Sequence, residues 1–300
     1  MAKPSQAVWS ANVLRQCAFL TLEDRSGFYI YDHLLFEPLA ELGWTAEEIP
    51  WNRPGVDWAS YDAVIIRSTW DYQHQLEQFL ATLGQIEAQT RLFNPLEICR
   101  WNSHKSYLRE LESRGVRTVP SLWEPQLTAG TVRAAARRFG SEQLIAKPCI
   151  GANADDTYRL NTLDAAGWAP ALAVFAEREL ILQPFIESIL SEGEYSLFYF
   201  AGEFSHAIRK RPATGDFRVQ EEHGGLIQAV RPAAELQRAA TDALSALGQT
   251  LLYARVDFVL LDDGQPALIE MELIEPSLYF EQCDAAAARF AAAFGRVTGL

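Results

Sequence analysis

The chain has 300 residues, a net charge of −13, and 49% hydrophobic against 22% charged residues. That balance describes a globular chain and argues against general nucleic-acid binding, which needs a basic face. Positive charge is almost all arginine. Only Lys3, Lys105, Lys147 and Lys210 are lysine, so each interior lysine marks a place suited to a compact point charge rather than a planar fork.

In chain order, Cys17 to Leu22 reads as a buried strand and Tyr31 to Leu42 as a helix stopping at Gly43. Thr45 to Trp51 and Tyr61 to Thr69 read as strands, Gln75 to Gln89 as a helix, and Arg91 to Pro95 as a fourth strand. Short strands alternating with helices predict an α/β layer with a parallel sheet. No G-x-G-x-x-G occurs, so this layer carries no dinucleotide signature. A helix is expected from about Ser103 to Arg114, with Ser103 as its cap and Lys105 in its first turn.

Beyond Val119 strands dominate: Leu144 to Cys149, Thr157 to Leu160, Leu180 to Phe185, Tyr195 to Phe200, Glu203 to Arg211, Ala254 to Leu261 and Ala267 to Ile274. Helices are expected near Thr131–Phe139, Ala233–Gly248 and Phe280–Phe294. Strands that follow one another directly predict an α+β part with antiparallel sheets. The expected division is 1–100, 101–190 and 191–300. Cys17, Cys99, Cys149 and Cys283 show no metal spacing and read as reduced thiols. With no secretory h-region and no apolar run of membrane length, a cytoplasmic protein is expected.

The most informative segment runs from Ala254 to Leu273. Asp263-Gly264 is a hairpin turn signal, and folding there sets Asp257 opposite Glu270, with Glu272 on the same face. Buried carboxylates need partners. Three converging oxygen ligands suit a hard cation such as Mg²⁺; neutralisation by Arg255 is the alternative.

Lys147 lies in an apolar strand before a small-residue turn, Ile150 to Thr157. Such a turn can lay backbone N–H groups over phosphates, and Lys147 either meets an anion there or snorkels to solvent. Lys105, in the first turn of its expected helix, opposes the helix dipole unless an anion sits between them. Lys210 lies among Arg209 and Arg211, ahead of Phe217-Arg218-Val219-Gln220 and Gly224-Gly225. That suits an anion-closing loop or a basic edge strand. Arg67-Ser68-Thr69-Trp70-Asp71-Tyr72 ends the third strand, where open α/β sheets bind ligands. Arg67 there either clamps a substrate carboxylate or pairs with Asp71. Asp24 and Arg25 are weaker candidates of the same kind. His104 and His223 fall near the same region.

Taken in order, these pieces resemble the ATP-grasp superfamily of the glutathione-synthetase-like type. Leu268-Ile269-Glu270-Met271-Glu272-Leu273-Ile274-Glu275-Pro276-Ser277-Leu278 and Arg67 to Tyr72 resemble the branch that holds the O-ureido-serine cyclo-ligase of cycloserine biosynthesis. The resemblance implies that Lys105, Lys147 and Gly151 hold ATP phosphates, and that Gln183, Pro184, Phe185 and Ile186 form a hinge reading adenine. Glu187 and Glu194 would meet the ribose, and Asp257, Glu270 and Glu272 would bind two Mg²⁺ ions. Arg218, with Lys210 or Arg209, would stabilise an acyl phosphate, and Arg67 to Tyr72 would face the substrate. Two departures stand out: Glu272 replaces a common Asn, and the phosphate loop is poor in glycine. The implied activity is an ATP-dependent, ADP-forming carboxylate–amine ligation, inter- or intramolecular. A nucleotide-binding module without turnover and a kinase-like transfer are the alternatives. The expected partner is a small carboxylate with its amine, with a homodimer left open and neither nucleic acid nor membrane.

Overall fold

The computed structural model describes residues 14–299; Lys3 lies outside them. The first sheet is parallel, as its alternating pattern predicts. It holds β1 (Arg15–Thr21), β2 (Trp44–Pro50), β3 (Ala63–Ser68) and β4 (Arg91–Phe93) in the order β2-β1-β3-β4. β3 is buried along its whole length, the mark of an inner strand covered on both faces.

Two antiparallel sheets follow. One holds β5 (Leu122–Glu124), β6 (Gln143–Pro148), β7 (Tyr158–Asn161) and β8 (Leu180–Pro184), ordered β5-β8-β6-β7. The other holds β9 (Glu194–Phe200), β10 (Glu203–Arg211), β11 (Leu226–Ala229), β12 (Tyr253–Leu260) and β13 (Pro266–Glu272), ordered β11-β10-β9-β12-β13.

The packing is less modular than three sheets suggest. Phe19 and Ile65 of the parallel sheet share a core with Phe198, Phe200 and Tyr253 of the last sheet, closed by the helix Ala286–Thr298 through Phe290 and Phe294. The middle sheet keeps its own core around Leu144, Trp168, Phe175 and Leu182. No described helix is long and apolar enough to cross a membrane.

The segment before Lys105 departs from expectation. Pro95 starts a helix earlier, Leu96–Asn102, and a second helix, Tyr107–Ser113, begins after a short turn. Ser103 is not the N-cap of the second helix but the C-cap of the first, and its hydroxyl donates to the Arg100 carbonyl at 3.0 Å. Lys105 therefore sits between two helices, and the dipole conflict expected of it does not arise. Asn102 explains the break. Its side chain donates to Met271 O at 2.8 Å and accepts from Leu273 N at 2.9 Å, standing in for a strand beside β13.

Candidate functional site

The hairpin sets Asp257 opposite Glu270, but by a different route from a two-residue turn. The strands part at Leu260 and Pro266, and the loop closes through Leu261 N to Gln265 O at 3.0 Å. That longer turn displaces the register, and a bulge at Ile269 returns it before the carboxylates. Arg255, two residues before Asp257 on β12, is then paired with Glu272.

Glu270 and Glu272 face a cleft walled by the two antiparallel sheets, with Phe28, Trp70 and Tyr72 contributed by loops of the N-terminal part. Asp257, only 2% exposed, lies behind them and is not among the lining residues. Among its lining residues are Tyr72, Lys147, Phe185, Lys210, Arg218 and Glu270. Arg255 donates to Asp257 at 3.1 and 2.9 Å and also grips Glu272. Lys105 meets Glu270 at 2.8 Å and the Gly151 carbonyl at 2.7 Å. Lys210 pairs with Glu194 and stands 3.8 Å from Asp257.

Electrostatics follow these contacts. Burial works against the Asp257 charge, but Arg255 and Lys210 outweigh it and hold the carboxyl below its usual range. Lys105 and Lys147 do the same for Glu270. Glu272 is less well compensated: burial pushes it up to about 7 despite Arg255. Burial also depresses Lys147, which is 8% exposed and has no hydrogen bond or ion pair with any described residue.

The loop after β6 explains its poverty in glycine by bearing strain. Asn153, Ala154 and Asp156 take φ of 51°, 56° and 52°, the left-handed region that costs non-glycine residues about 1 kcal/mol or more each. Arg178 holds the loop, reaching Asp156 at 2.6 Å and Ile150 O at 3.1 Å. In the Arg218 loop, Asp216 accepts from the backbone of Phe217 and Arg218 and pairs with the Arg218 guanidinium at 2.8 Å. Gly225 closes that loop; a Cβ there would stand 2.0 Å from Val219 O.

Several expected residues lie elsewhere. Arg209 faces away from the cleft and donates to Gln228 at 3.1 Å, because neighbours on a strand alternate faces. Glu187 is exposed and pairs with Arg159 at 3.5 Å, outside the cleft. Gln183, Pro184, Phe185, Ile186 and Glu194 do line it. In the Arg67–Tyr72 segment only Trp70 and Tyr72 reach the cleft. Arg67 is not free to clamp a ligand. It pairs with Asp32 at 2.8 Å, donates to Pro276 O at 3.2 Å and packs over Tyr253. Ser68 bonds Thr21, Thr69 is fully buried, and Asp71 accepts from the Trp51 indole at 2.7 Å. Asp24 and Arg25 also stay outside the cleft, Arg25 paired with Glu48.

Arg255 and Glu275 also line the cleft; local pattern offers Arg255 only as a neutraliser of the carboxylates, although an arginine inside an apolar strand poses the same question as Lys147. His104 and Cys149, which lack metal spacing in sequence, come together with Glu179, their ligand atoms within 4.8 Å of one another.

A chain with this cleft has known counterparts. The cycloserine biosynthesis protein DcsG of Streptomyces lavendulae is 33% identical over 276 residues, covering 86% of this chain and 91% of that protein. The chain belongs to the DcsG family of ATP-grasp ligases. A family model described as the N-terminal domain of D-cycloserine synthetase DcsG matches residues 17–94. The crystal structure of D-cycloserine synthetase DcsG superposes with a TM-score of 0.85 at 32% identity, covering 94% of this chain and 99% of that one. The ATP-grasp ligase PsnB, in complex with a minimal precursor, Mg and ADP, shares the fold with a TM-score of 0.64 at 17% identity, covering 95% and 98%. Family membership makes this chain an enzyme, an ATP-dependent ligase that forms C–N bonds.

Proposed function

We propose that the enzyme uses ATP and Mg²⁺ to activate the carboxylate of a small amino-acid-like substrate as an acyl phosphate and then joins it to a nitrogen. The reading favoured by the DcsG relatives is ring closure within one molecule. The observation that carries the proposal is Lys147, a buried cation with no partner, facing Glu270 across one cleft. A buried charge without a partner is costly, and a phosphate would remove the cost.

The residues present fit the implied groups. Asp257, Glu270 and Glu272 offer hard oxygen donors, and Arg255 and Lys105 here supply the counter-charge that a divalent cation would supply in the loaded enzyme. Lys105, Lys147 and the loop at Gly151 would hold phosphates. Val119, Ile186, Val259 and Ile269 give an apolar wall beside Gln183–Ile186 suited to a base. Of the two ribose candidates, only Glu194 lines the cleft. When bound, ATP supplies the phosphoryl group and Mg²⁺ the neutralising charge.

The chain's own residues would position and stabilise, which is most of what phosphoryl transfer asks of a protein. Arg218, on a closing loop, would bring positive charge to the activated carboxyl group. Arg255 and Lys210, fixed on β12 and β10 on either side of β9, would meet the negative charge on the acyl oxygen as the nitrogen attacks. The C–N bond forms, phosphate leaves and the nitrogen loses its proton.

The test is ADP and phosphate release from ATP with a panel of D- and L-amino acids and O-substituted serines, with and without Mg²⁺. Mg²⁺-dependent release stimulated by one of these, and abolished in a folded Glu270→Gln variant, is the expected result. ATP binding without substrate-stimulated release across the panel would refute turnover. A persistent phosphorylated product would indicate transfer without ligation.

A further inference from the structure

His104, Cys149 and Glu179 lie outside the residues that line the cleft, and nothing above has given them a role. They come from separate segments. His104 is in the turn ahead of the helix Tyr107–Ser113, Cys149 follows β6 and Glu179 precedes β8. Main chain holds the segments together: Cys149 O accepts from Lys105 N at 2.8 Å, and Cys149 N donates to Glu179 O at 3.3 Å. The meeting of the side chains within 4.8 Å is therefore set by the backbone.

Cys149 is 3% exposed, and its sulfur has no hydrogen-bond partner among the described residues. The other thiols each have one. Cys17 donates to Ala18 O at 3.9 Å, Cys99 to Asn94 O at 3.7 Å, and Cys283 accepts from Arg289 at 3.8 Å. Ser106 Oγ engages His104 Nδ1 at 2.8 Å, which leaves Nε2 turned to Glu179 Oε2 at 3.2 Å. A bonded far nitrogen is the usual companion of a metal-bound imidazole. Tetrahedral zinc, with N and O ligands near 2.0 Å, sets those ligands about 3.3 Å apart, so this pair already stands at coordination spacing. A surface ion pair would account for His104 and Glu179 but not for the buried, unpartnered thiol beside them. Sulfur and imidazole together favour zinc over magnesium. The His104 and Glu179 side chains are 32% and 65% exposed, which leaves a path for the ion and room for water as a fourth ligand.

From this convergence we infer that His104, Cys149 and Glu179 bind a zinc-type divalent cation, in a site separate from the Mg²⁺ carboxylates, and that the ion clamps the turn bearing Lys105 to the strand bearing Lys147. Burial, then Glu179, pushes the empty thiol up to about 11. Loading therefore breaks the S–H bond, sends the proton to solvent and gives the sulfur electron pair to the metal, with no change of oxidation state. Lys105 follows His104 directly, and only Pro148 separates Lys147 from Cys149. The ion would thus fix the two lysines relative to each other before a phosphate arrives. That last consequence rests on the ligase reading; the metal site does not.

Co²⁺, a spectroscopic substitute for Zn²⁺, tests the site in the full chain with Mg²⁺ present. A near-ultraviolet sulfur-to-cobalt charge-transfer band should appear and be displaced by Zn²⁺. Cys149→Ser should abolish the band and Cys283→Ser should keep it. His104→Ala and Glu179→Gln, at partly exposed positions that leave the core intact, should weaken Co²⁺ binding roughly tenfold or more. No band in the wild type, a band that survives Cys149→Ser, or unchanged affinity in both other ligand variants overturns the site. Calorimetry reads the clamp: ADP with Mg²⁺ should bind roughly fivefold tighter to zinc-loaded than to zinc-free protein, and His104→Ala should remove the difference. Equal ADP affinity in the two states overturns the clamp. Failure of both states to bind ADP would instead overturn the ATP reading beneath it.

Discussion

Replacing Lys147 by methionine should make the empty protein more stable and the nucleotide complex weaker. Met matches the length and flexibility of the lysine stem and removes only the charge. In the structure that charge is buried, unpaired and held below the ordinary lysine value by burial. Exchanging buried ions for apolar side chains is often neutral or stabilising by 1–4 kcal/mol, and about 1 kcal/mol is expected here. A hydrogen bond to a charged group contributes about 1.5–3 kcal/mol, so affinity for a non-hydrolysable ATP analogue with Mg²⁺ should fall roughly 10- to 150-fold. Scanning calorimetry reads the first effect and titration calorimetry the second. The two states also differ in proton uptake. The unfolded chain keeps the lysine proton up to about 10.5 while the folded chain releases it earlier, so wild-type stability should rise as pH climbs toward that value, and Lys147→Met should lack this rise. A variant that melts lower and binds the analogue equally well would refute the reasoning, because both signs depend on Lys147 having no protein partner.

Arg67→Met should lower stability by about 3–5 kcal/mol, because it strands the buried Asp32 carboxylate; urea denaturation measures it, and an unchanged midpoint with a raised substrate KM would restore the clamp role. Gly225→Ala should cut kcat at least tenfold with little change in Tm, since its Cβ collides with backbone in the Arg218 loop alone; full activity would show that the loop absorbs it. His206 is buried, stacks on Phe198 and donates to Leu278 O, and burial lowers its pKa to about 4. The unfolded chain takes up that proton near 6.5, so stability present above 6.5 is lost as pH falls toward 4, by about 3 kcal/mol at the limit. His206→Phe should flatten that acid limb in urea midpoints, and an identical limb would sink the assignment.

Local periodicity made much of this fold legible. The alternation of strands and helices placed the parallel sheet, and strand-after-strand order placed the antiparallel ones. The Asp257–Glu270 pairing followed from the turn signal, although the longer turn and the bulge at Ile269 offset each other in reaching it. Alternation would also have separated Lys210 from Arg209 had it been applied to β10. Long-range side chains set the limit. Asn102 bonds Met271 from 169 residues away, and that grip ends one helix early and puts Lys105 in a turn. Arg67 finds Asp32 through packing that no strand-end rule contains. That Glu275 is buried in the cleft, like Lys147, is set by packing that no local pattern contains.

The shared core described above also assigns motion. Because the parallel sheet and the last sheet are fused through Phe19, Phe198, Phe290 and Phe294, the carboxylate hairpin, Lys210 and Glu275 ride on one unyielding half. The middle sheet, with its separate core, carries Lys147, the strained loop and Gln183. Any opening of the cleft between these two cores would move Lys147, the strained loop and Gln183 as one body against Lys105, Lys210 and the carboxylate hairpin.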